Sequence, residues 1–256
     1  MLCSCDATVV RSSISRGVCM KAVIVIPAYN EAETLEEKMT QLEAFRAAEL
    51  PEAEIIITDN NSTDATPEIA AGLSRRHEKV HCYSVARQGK GAAIRDTWLA
   101  HDYDIYSFMD VDLSTDLSAL PLLFDAIREG YDMAIGSRYR EGAVIERSLK
   151  RELVSRAYRL LFHFLLCRDI RDPQCGFKAV SRKVRDTILP GVGTPGFFFD
   201  SELLVRAQKA GYRIKEVPVR WREDSGTTVH LARDVPKFVK GLIALKYELI
   251  VRKANH

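Results

Sequence analysis

The sequence predicts an α/β fold, a mostly parallel sheet flanked by helices with a C-terminal amphipathic helix. Three observations carry this expectation. Short runs rich in Val and Ile recur through the first half, separated by stretches with helical spacing, the pattern of βαβ crossovers around buried parallel strands. Polar clusters close three of these runs, at 27–31, 59–64 and 110–112, and ligands of parallel sheets gather at the carboxyl ends of strands. The 256 residues, 46 % hydrophobic and 28 % charged, suit one large domain with a sizeable core and exclude disordered or collagen-like chains.

Residues 22–26 read as the first buried strand. Asn30 with Glu33 three residues on resembles a capping box, and Leu35, Met39, Leu42 and Phe45 follow at helical spacing. A second strand is expected at 54–58, and Thr66 followed by Pro67 reads as a cap and first turn of a helix. A third strand covers 80–85, a helix follows Gly91, a fourth strand at 105–109 runs into Asp110, and 133–135 is a fifth. The second half is less regular. It offers a helix at 151–168 with a broad apolar surface, a strand at 175–180, a helix at 200–210 stopped by Gly211, a strand at 214–221, and a basic amphipathic helix at 235–253. Without repeats or linkers, the expected layout is an extension or mis-assigned start at 1–20, one domain at 21–230, and an appended helix at 231–256. Arg11, Arg16 and scattered serines faintly suggest a transit peptide, and a true start at Met20 fits equally well.

The formal net charge of +2 argues against nucleic acid as a partner, because bulk positive charge drives that binding. The total hides a split: residues 1–137 carry 12 basic and 22 acidic side chains, and residues 138–256 carry 25 and 13. An acidic half that handles a cation and a basic half that handles anions would give this pattern, as would an even scatter over the surface. Six dispersed cysteines without a CxxC pair point to reduced thiols in the cytosol rather than a zinc site or disulfide framework. No apolar run approaches a transmembrane span, and the first twenty residues lack the contiguous apolar stretch of a secretory signal, so none is expected. The six histidines show no ligand spacing, and Trp98 and Trp221 read as packing residues.

Asp110-Val111-Asp112 ends the fourth strand. Carboxylates two residues apart on a strand face the same side, repel when unpaired, and suit a hard divalent cation. A second acidic cluster, Asp59-Asn60-Asn61-Ser62-Thr63-Asp64, closes the neighbouring strand. Gly89-Lys90-Gly91 lacks Walker spacing; a tight strand-to-helix turn and direct phosphate contact both remain open. The run Arg138, Arg140, Arg147, Lys150, Arg151 is a candidate collector of an anion, with a solvated loop face as the alternative.

These motifs, together with Ile26-Pro27-Ala28-Tyr29-Asn30-Glu31, Arg87-Gln88-Gly89-Lys90-Gly91, Gly136-Ser137-Arg138, Gln174-Cys175-Gly176-Phe177-Lys178, Phe199-Asp200-Ser201-Glu202-Leu203-Leu204 and Glu216-Val217-Pro218-Val219, resemble glycosyltransferase family 2. The match is to its polyprenyl-phosphate sugar synthases, which make dolichyl-phosphate glucose or mannose. The resemblance covers about 21–228 and implies a GT-A-like, Rossmann-related glycosyltransferase domain with a metal-dependent, inverting activity. It implies that Pro27, Ala28, Tyr29, Glu31 and Asp59 hold the donor nucleoside, and that Asp110, Val111 and Asp112 meet ribose and diphosphate. Asp110 and Asp112 would ligate Mg²⁺ or Mn²⁺, with Asp112 the principal ligand. Arg138, Lys150, Arg151, Gln174 and Lys178 would face the acceptor phosphate; Asp110, Asp112, Arg138 and Asp200 form the expected catalytic set. Asp200 is placed to orient the acceptor, although helix N-capping accounts for it equally. The chain departs from the family at two positions: Ser114 stands where mannose-transferring relatives carry Gln, and Asn60 replaces the second Asp of an Asp-Asp pair.

The expected reaction moves glucose from UDP-glucose to a polyprenyl phosphate. GDP-mannose with the same acceptor, a family 2 enzyme with a non-lipid acceptor, and a non-catalytic nucleotide-sugar-binding subunit are the alternatives. The two apolar-basic helices at 151–168 and 235–253 would place the protein peripherally on the cytoplasmic face of a membrane, with core packing the competing account of each.

Overall fold

The structure, a computed structural model, describes residues 20–146, 149–166, 169–222 and 231–254, without the side chains at 149–151, 231–235 and 252–254. The expected extension before Met20, Arg147 and the side chains of Lys150 and Arg151 therefore lie outside the described residues, as do Cys3, Cys5, Cys19 and Cys167. Cys82 and Cys175 are free thiols.

Strands β1 (Ala22–Ala28), β2 (Ala53–Asp59), β3 (Val80–Ser84) and β4 (Ile105–Met109) alternate with helices α1 (Leu35–Glu49), α2 (Thr66–Arg76) and α3 (Lys90–Ala100). Helix α4 (Leu120–Arg128) leads to β5 (Met133–Ser137) and a short β6 (Val144–Glu146). The rest comprises α5 (Leu149–Leu165), β7 (Phe177–Ser181), α6 (Arg182–Thr187), α7 (Phe199–Lys209), β8 (Ile214–Pro218), β9 (Arg220–Arg222) and α8 (Leu231–Ala254).

Seven strands form one sheet in the order β3-β2-β1-β4-β7-β5-β8. Every pairing in it is parallel except those of β7, which runs antiparallel to both β4 and β5. Alternation along β1 sends Ile24 and Ile26 to one face, with Leu35, Met39, Leu42 and Phe124, and Val23 and Val25 to the other, with Trp98, Phe108, Phe162 and Phe199. The mostly parallel α/β expectation holds.

Several boundaries differ. Asn30 does not cap α1: it sits at φ 55°, and the helix starts five residues later behind Thr34. The strand expected at 214–221 divides because Pro218 has no N–H to extend the ladder; β9 then leaves the main sheet and pairs with β6. Helix α8 is docked rather than appended, since Leu242 and Leu245 are buried in the same cluster as Phe162 and Leu203.

Winding outward from β1 to β2 and β3, then crossing to β4 on the other side of β1, creates a switch point at the carboxyl ends of β1 and β4. The opposite edge of the sheet is where the acidic and basic halves neutralise each other. There Arg182 pairs with Asp102 and Asp104, Lys183 with Asp132 at 3.6 Å, and Lys215 with Glu129 at 2.6 Å.

Candidate active site

The loop after β1 is fastened to the loop after β2 by short polar side chains. Asn30 N donates to Ser62 Oγ (3.1 Å), Thr63 N to Asn30 Oδ1 (2.8 Å), Glu31 N to Thr66 Oγ1 (2.8 Å) and Ala32 N to Asp64 Oδ2 (3.1 Å). Hydrogen bonds from Thr66, then from Ala32, hold the Asp64 carboxyl below the usual range. Ser62, Asp64 and Thr66 thus build the loop, leaving Pro27 half-buried, Ala28 and Asp59 buried in register with each other, and Tyr29 exposed on the rim. Gln88 Nε2 reaches Tyr29 Oη at 3.4 Å.

Asn60 explains its own departure from Asp. Its Nδ2 donates to Arg87 O (2.8 Å) while its Oδ1 accepts from Gly89 N (2.6 Å), and a carboxylate could not make the first bond. This fixes the turn into α3, where Gly89 adopts φ 128°, a region open to glycine and strained for other residues. The turn aims Lys90 under the strand ends. Its ammonium lies 2.7 Å from Asp110 Oδ1 and 3.4 Å from Asp200 Oδ2. Asp200 Oδ1 in turn meets Lys178 Nζ at 2.7 Å. Burial opposes the charge on Lys90, and Asp110 and Asp200 outweigh it, raising its pKa.

Antiparallel β7 sets Phe177 opposite Met109, which brings Gly176 beside Asp110. A Cβ there would stand 2.1 Å from Asp110 Oδ2. The Asp110 side chain keeps 46 % of its surface exposed. Within the cleft, partial desolvation raises its pKa against the opposing pull of Lys90, with Asp112 adding like charge.

Asp112 accepts from Ser114 N (2.9 Å) through Oδ1, across a turn whose residue Leu113 holds a left-handed φ of 53°. Such strain in a non-glycine residue costs about 1–3 kcal/mol and clusters at functional sites. Ser114 Oγ is buried with no hydrogen-bond partner among the described residues. No cage of three His, Cys, Asp or Glu side chains is present among the described residues. Two carboxylates suit Mg²⁺, which is commonly bound through one or two carboxylates with substrate phosphates and water completing its shell, so the donor set fits.

Arg138 follows β5 with its fork closed. Nε and Nη2 meet Asp172 at 2.7 and 2.8 Å, and its backbone N donates to the same carboxylate. Its guanidinium stacks 5.4 Å from the Trp221 ring centroid. Burial disfavours charge on Asp172, but Arg138 prevails and holds the carboxyl below its ordinary range. Lys178 has no exposed surface, its ammonium divided between Asp200 and Cys175 O. Of the residues expected to meet the acceptor, Arg138 and Lys178 are therefore committed inside the protein, Gln174 is half-buried, and the side chains of Lys150 and Arg151 are outside the described residues. Asp200 lies inside the first turn of α7 behind Phe198, so it is not the cap. Asp172 and Lys90 are the residues that spacing alone did not single out for these roles.

The family model described as Glycosyl transferase family 2 matches residues 23–189. Glycosyltransferase AglD of Haloferax volcanii is 37 % identical over 248 residues, 94 % of this chain and 39 % of that protein. The dolichyl-phosphate beta-glucosyltransferase of Saccharomyces cerevisiae is 31 % identical, covering 87 % of this chain and 73 % of its own length. The dolichol-phosphate mannosyltransferase of Pyrococcus furiosus is also 31 % identical, covering 78 % and 56 %. Among solved structures, glucosyl-3-phosphoglycerate synthase from Mycobacterium tuberculosis in complex with Mn²⁺, UDP and phosphoglyceric acid superposes with a TM-score of 0.66 at 22 % identity, over 88 % of this chain and 77 % of that one. The shared fold is GT-A.

Proposed function

The chain belongs to glycosyltransferase family 2 and is a glycosyltransferase; on that premise we propose that it transfers a hexose from a nucleotide sugar to a polyprenyl phosphate. The observation that carries this reading is the pair Asp110 and Asp112 at the switch point between β1 and β4, on the same strand-end side as exposed Tyr29 and buried Asp59. Pro27, Ala28, Tyr29, Glu31 and Asp59 hold the nucleoside, and Asp110, Val111 and Asp112 address ribose and diphosphate. Asp112, with Asp110, would hold a Mg²⁺ or Mn²⁺ that neutralises charge on the departing diphosphate. A phosphate monoester loses its second proton near pH ~6, so the acceptor needs little help from a base. Positioning and electrostatics then suffice for an inverting displacement. With the Arg138 fork held by Asp172, the acceptor anion falls to Lys150, Arg151 and Gln174.

Glucose from UDP-glucose is the favoured donor, in line with the yeast relative's name. Mannose from GDP-mannose is the second reading, supported by the equally identical Pyrococcus relative. No helix among the described residues is long and apolar enough to cross a membrane. In this proposal the lipid acceptor is reached from the surface, through exposed Leu153, Leu160 and Phe164 of α5 and Ile243, Tyr247 and Ile250 of α8, on the cytoplasmic face. Radiolabelled UDP-glucose and GDP-mannose, each offered with a polyprenyl phosphate and Mg²⁺, test the reading. Label should pass into the organic phase from one donor and vanish in Asp112→Ala; label that stays in water with every lipid acceptor overturns it.

A further inference from the structure

We infer that Lys90, at the start of α3, is a positioning residue for the transfer: it ties the donor-side carboxylate Asp110 to Asp200 of α7, through a buried chain of alternating charges. The inference rests on the reading of Asp110 as a donor carboxylate. The chain runs Asp110, Lys90, Asp200, Lys178, with contacts of 2.7, 3.4 and 2.7 Å. Two carboxylates and two ammoniums leave it neutral overall, and the Phe108 ring lies 5.2 Å from one ammonium and 5.8 Å from the other.

Its geometry is not that of a stability device alone. Lys178 and Asp200 already satisfy each other with side chains 0 % and 4 % exposed. Lys90, itself 10 % exposed, makes its shorter contact with Asp110, the one member open to the cleft. Gly176 closes the chain from above, its missing side chain leaving room for both Asp110 Oδ2 and Lys90 Nζ.

The backbone at both ends is fixed as well. Ala92 N donates to Pro195 O (2.9 Å), tying α3 to the loop before α7. Glu202 on α7 accepts from Gly193 N (3.2 Å) and Thr194 N (2.9 Å) of the same loop. Asp200 is thus a second positioning residue: one oxygen faces Lys178 and the other Lys90, and neither is turned to the cleft. Without Lys90, Asp110 keeps two like-charged neighbours, Asp112 and Asp200, and no described cation. It would then swing away from the position that receives the nucleotide.

Titration calorimetry of UDP and GDP, each with Mn²⁺, onto the purified full chain tests this, with a thermal melt for every variant. Lys90→Met is expected to weaken binding of the preferred nucleotide about tenfold, and Asp200→Asn, whose parent side chain is only 4 % exposed, about threefold or more. The double variant should be no weaker than Lys90→Met alone, and Lys90→Arg should recover part of the loss. A folded Lys90→Met that binds within about twofold of the parent, or losses that multiply in the double variant, overturns the inference while the donor reading stands. If Lys90→Met does not fold, Asp200→Asn decides: unchanged binding overturns the inference. A parent chain that binds neither nucleotide overturns the donor reading, and the inference with it.

Discussion

A methyl group on residue 176 would stand 2.1 Å from Asp110 Oδ2 and 2.8 Å from Lys90 Nζ, whereas one on Gly193 would meet nothing within 4 Å. Gly176→Ala is therefore expected to lose about 1–3 kcal/mol of stability and most of its turnover, and Gly193→Ala neither; melts and transfer rates of the two compare them. At Arg138, substitution by Met strands the buried Asp172 carboxylate, at a cost of about 3–5 kcal/mol. Replacing Asp172 by Leu in the same chain should return much of that, measurable by chemical denaturation. Legibility differs sharply among residues. Asp110 and Asp112 were readable because a strand end and a two-residue spacing are local facts. For Lys90 the sequence offers only a turn or a phosphate contact, because its partners lie 20 and 110 positions away. Asn30 resembled a cap because the sequence does not reveal that its side chain accepts from Thr63 across the loop.

Helix α8 has two separable faces, one packed in the core and one that the proposed function assigns to the lipid surface. Leu242 and Leu245 enter the core, while Ile243, Tyr247 and Ile250 face outward. Leu242→Ala is expected to cost about 2–5 kcal/mol. Ile243→Ser with Tyr247→Ser should leave stability within about 0.5 kcal/mol per site yet abolish co-sedimentation with anionic liposomes. Deleting the whole helix would confuse the two, since it removes core as well as surface. The first strands are legible because buried parallel strands read as short apolar runs, Ala22–Ile26 in β1 and Ile55–Ile57 in β2. The direction of β7 was not, because antiparallel insertion depends on neighbours far away in sequence. Nor was β6, whose three residues are exposed or half-buried and carry no periodic signal.

Acid is the condition that should test the whole molecule. Asp172 and Glu202 titrate below their ordinary values in the folded chain: burial opposes their charge, but Arg138 prevails at Asp172, and Thr194, Gly193 and Arg206 at Glu202. A depressed carboxylate contributes stability above its unfolded pKa, near ~4, and that stability is lost as pH falls through the folded value. Melting temperature should stay level above about pH 5 and drop below about pH 4, less steeply in Asp172→Asn than in the parent. The charge split along the sequence was legible as numbers but not as a map. Part of it is cancelled by ion pairs between the halves at the far edge of the sheet, leaving the strand-end carboxylates at the other edge. The antiparallel strand has a further consequence, in time rather than space. As the chain is synthesised, β4 and β5 are complete well before the strand that belongs between them, which arrives only with residues 177–181. Until then each carries an unpaired edge, the kind of exposed template that favours misassociation. A nascent chain arrested before residue 177 should bind holdase chaperones more strongly than one released past α7, and the carboxylate cleft should become competent only when that late strand closes the gap.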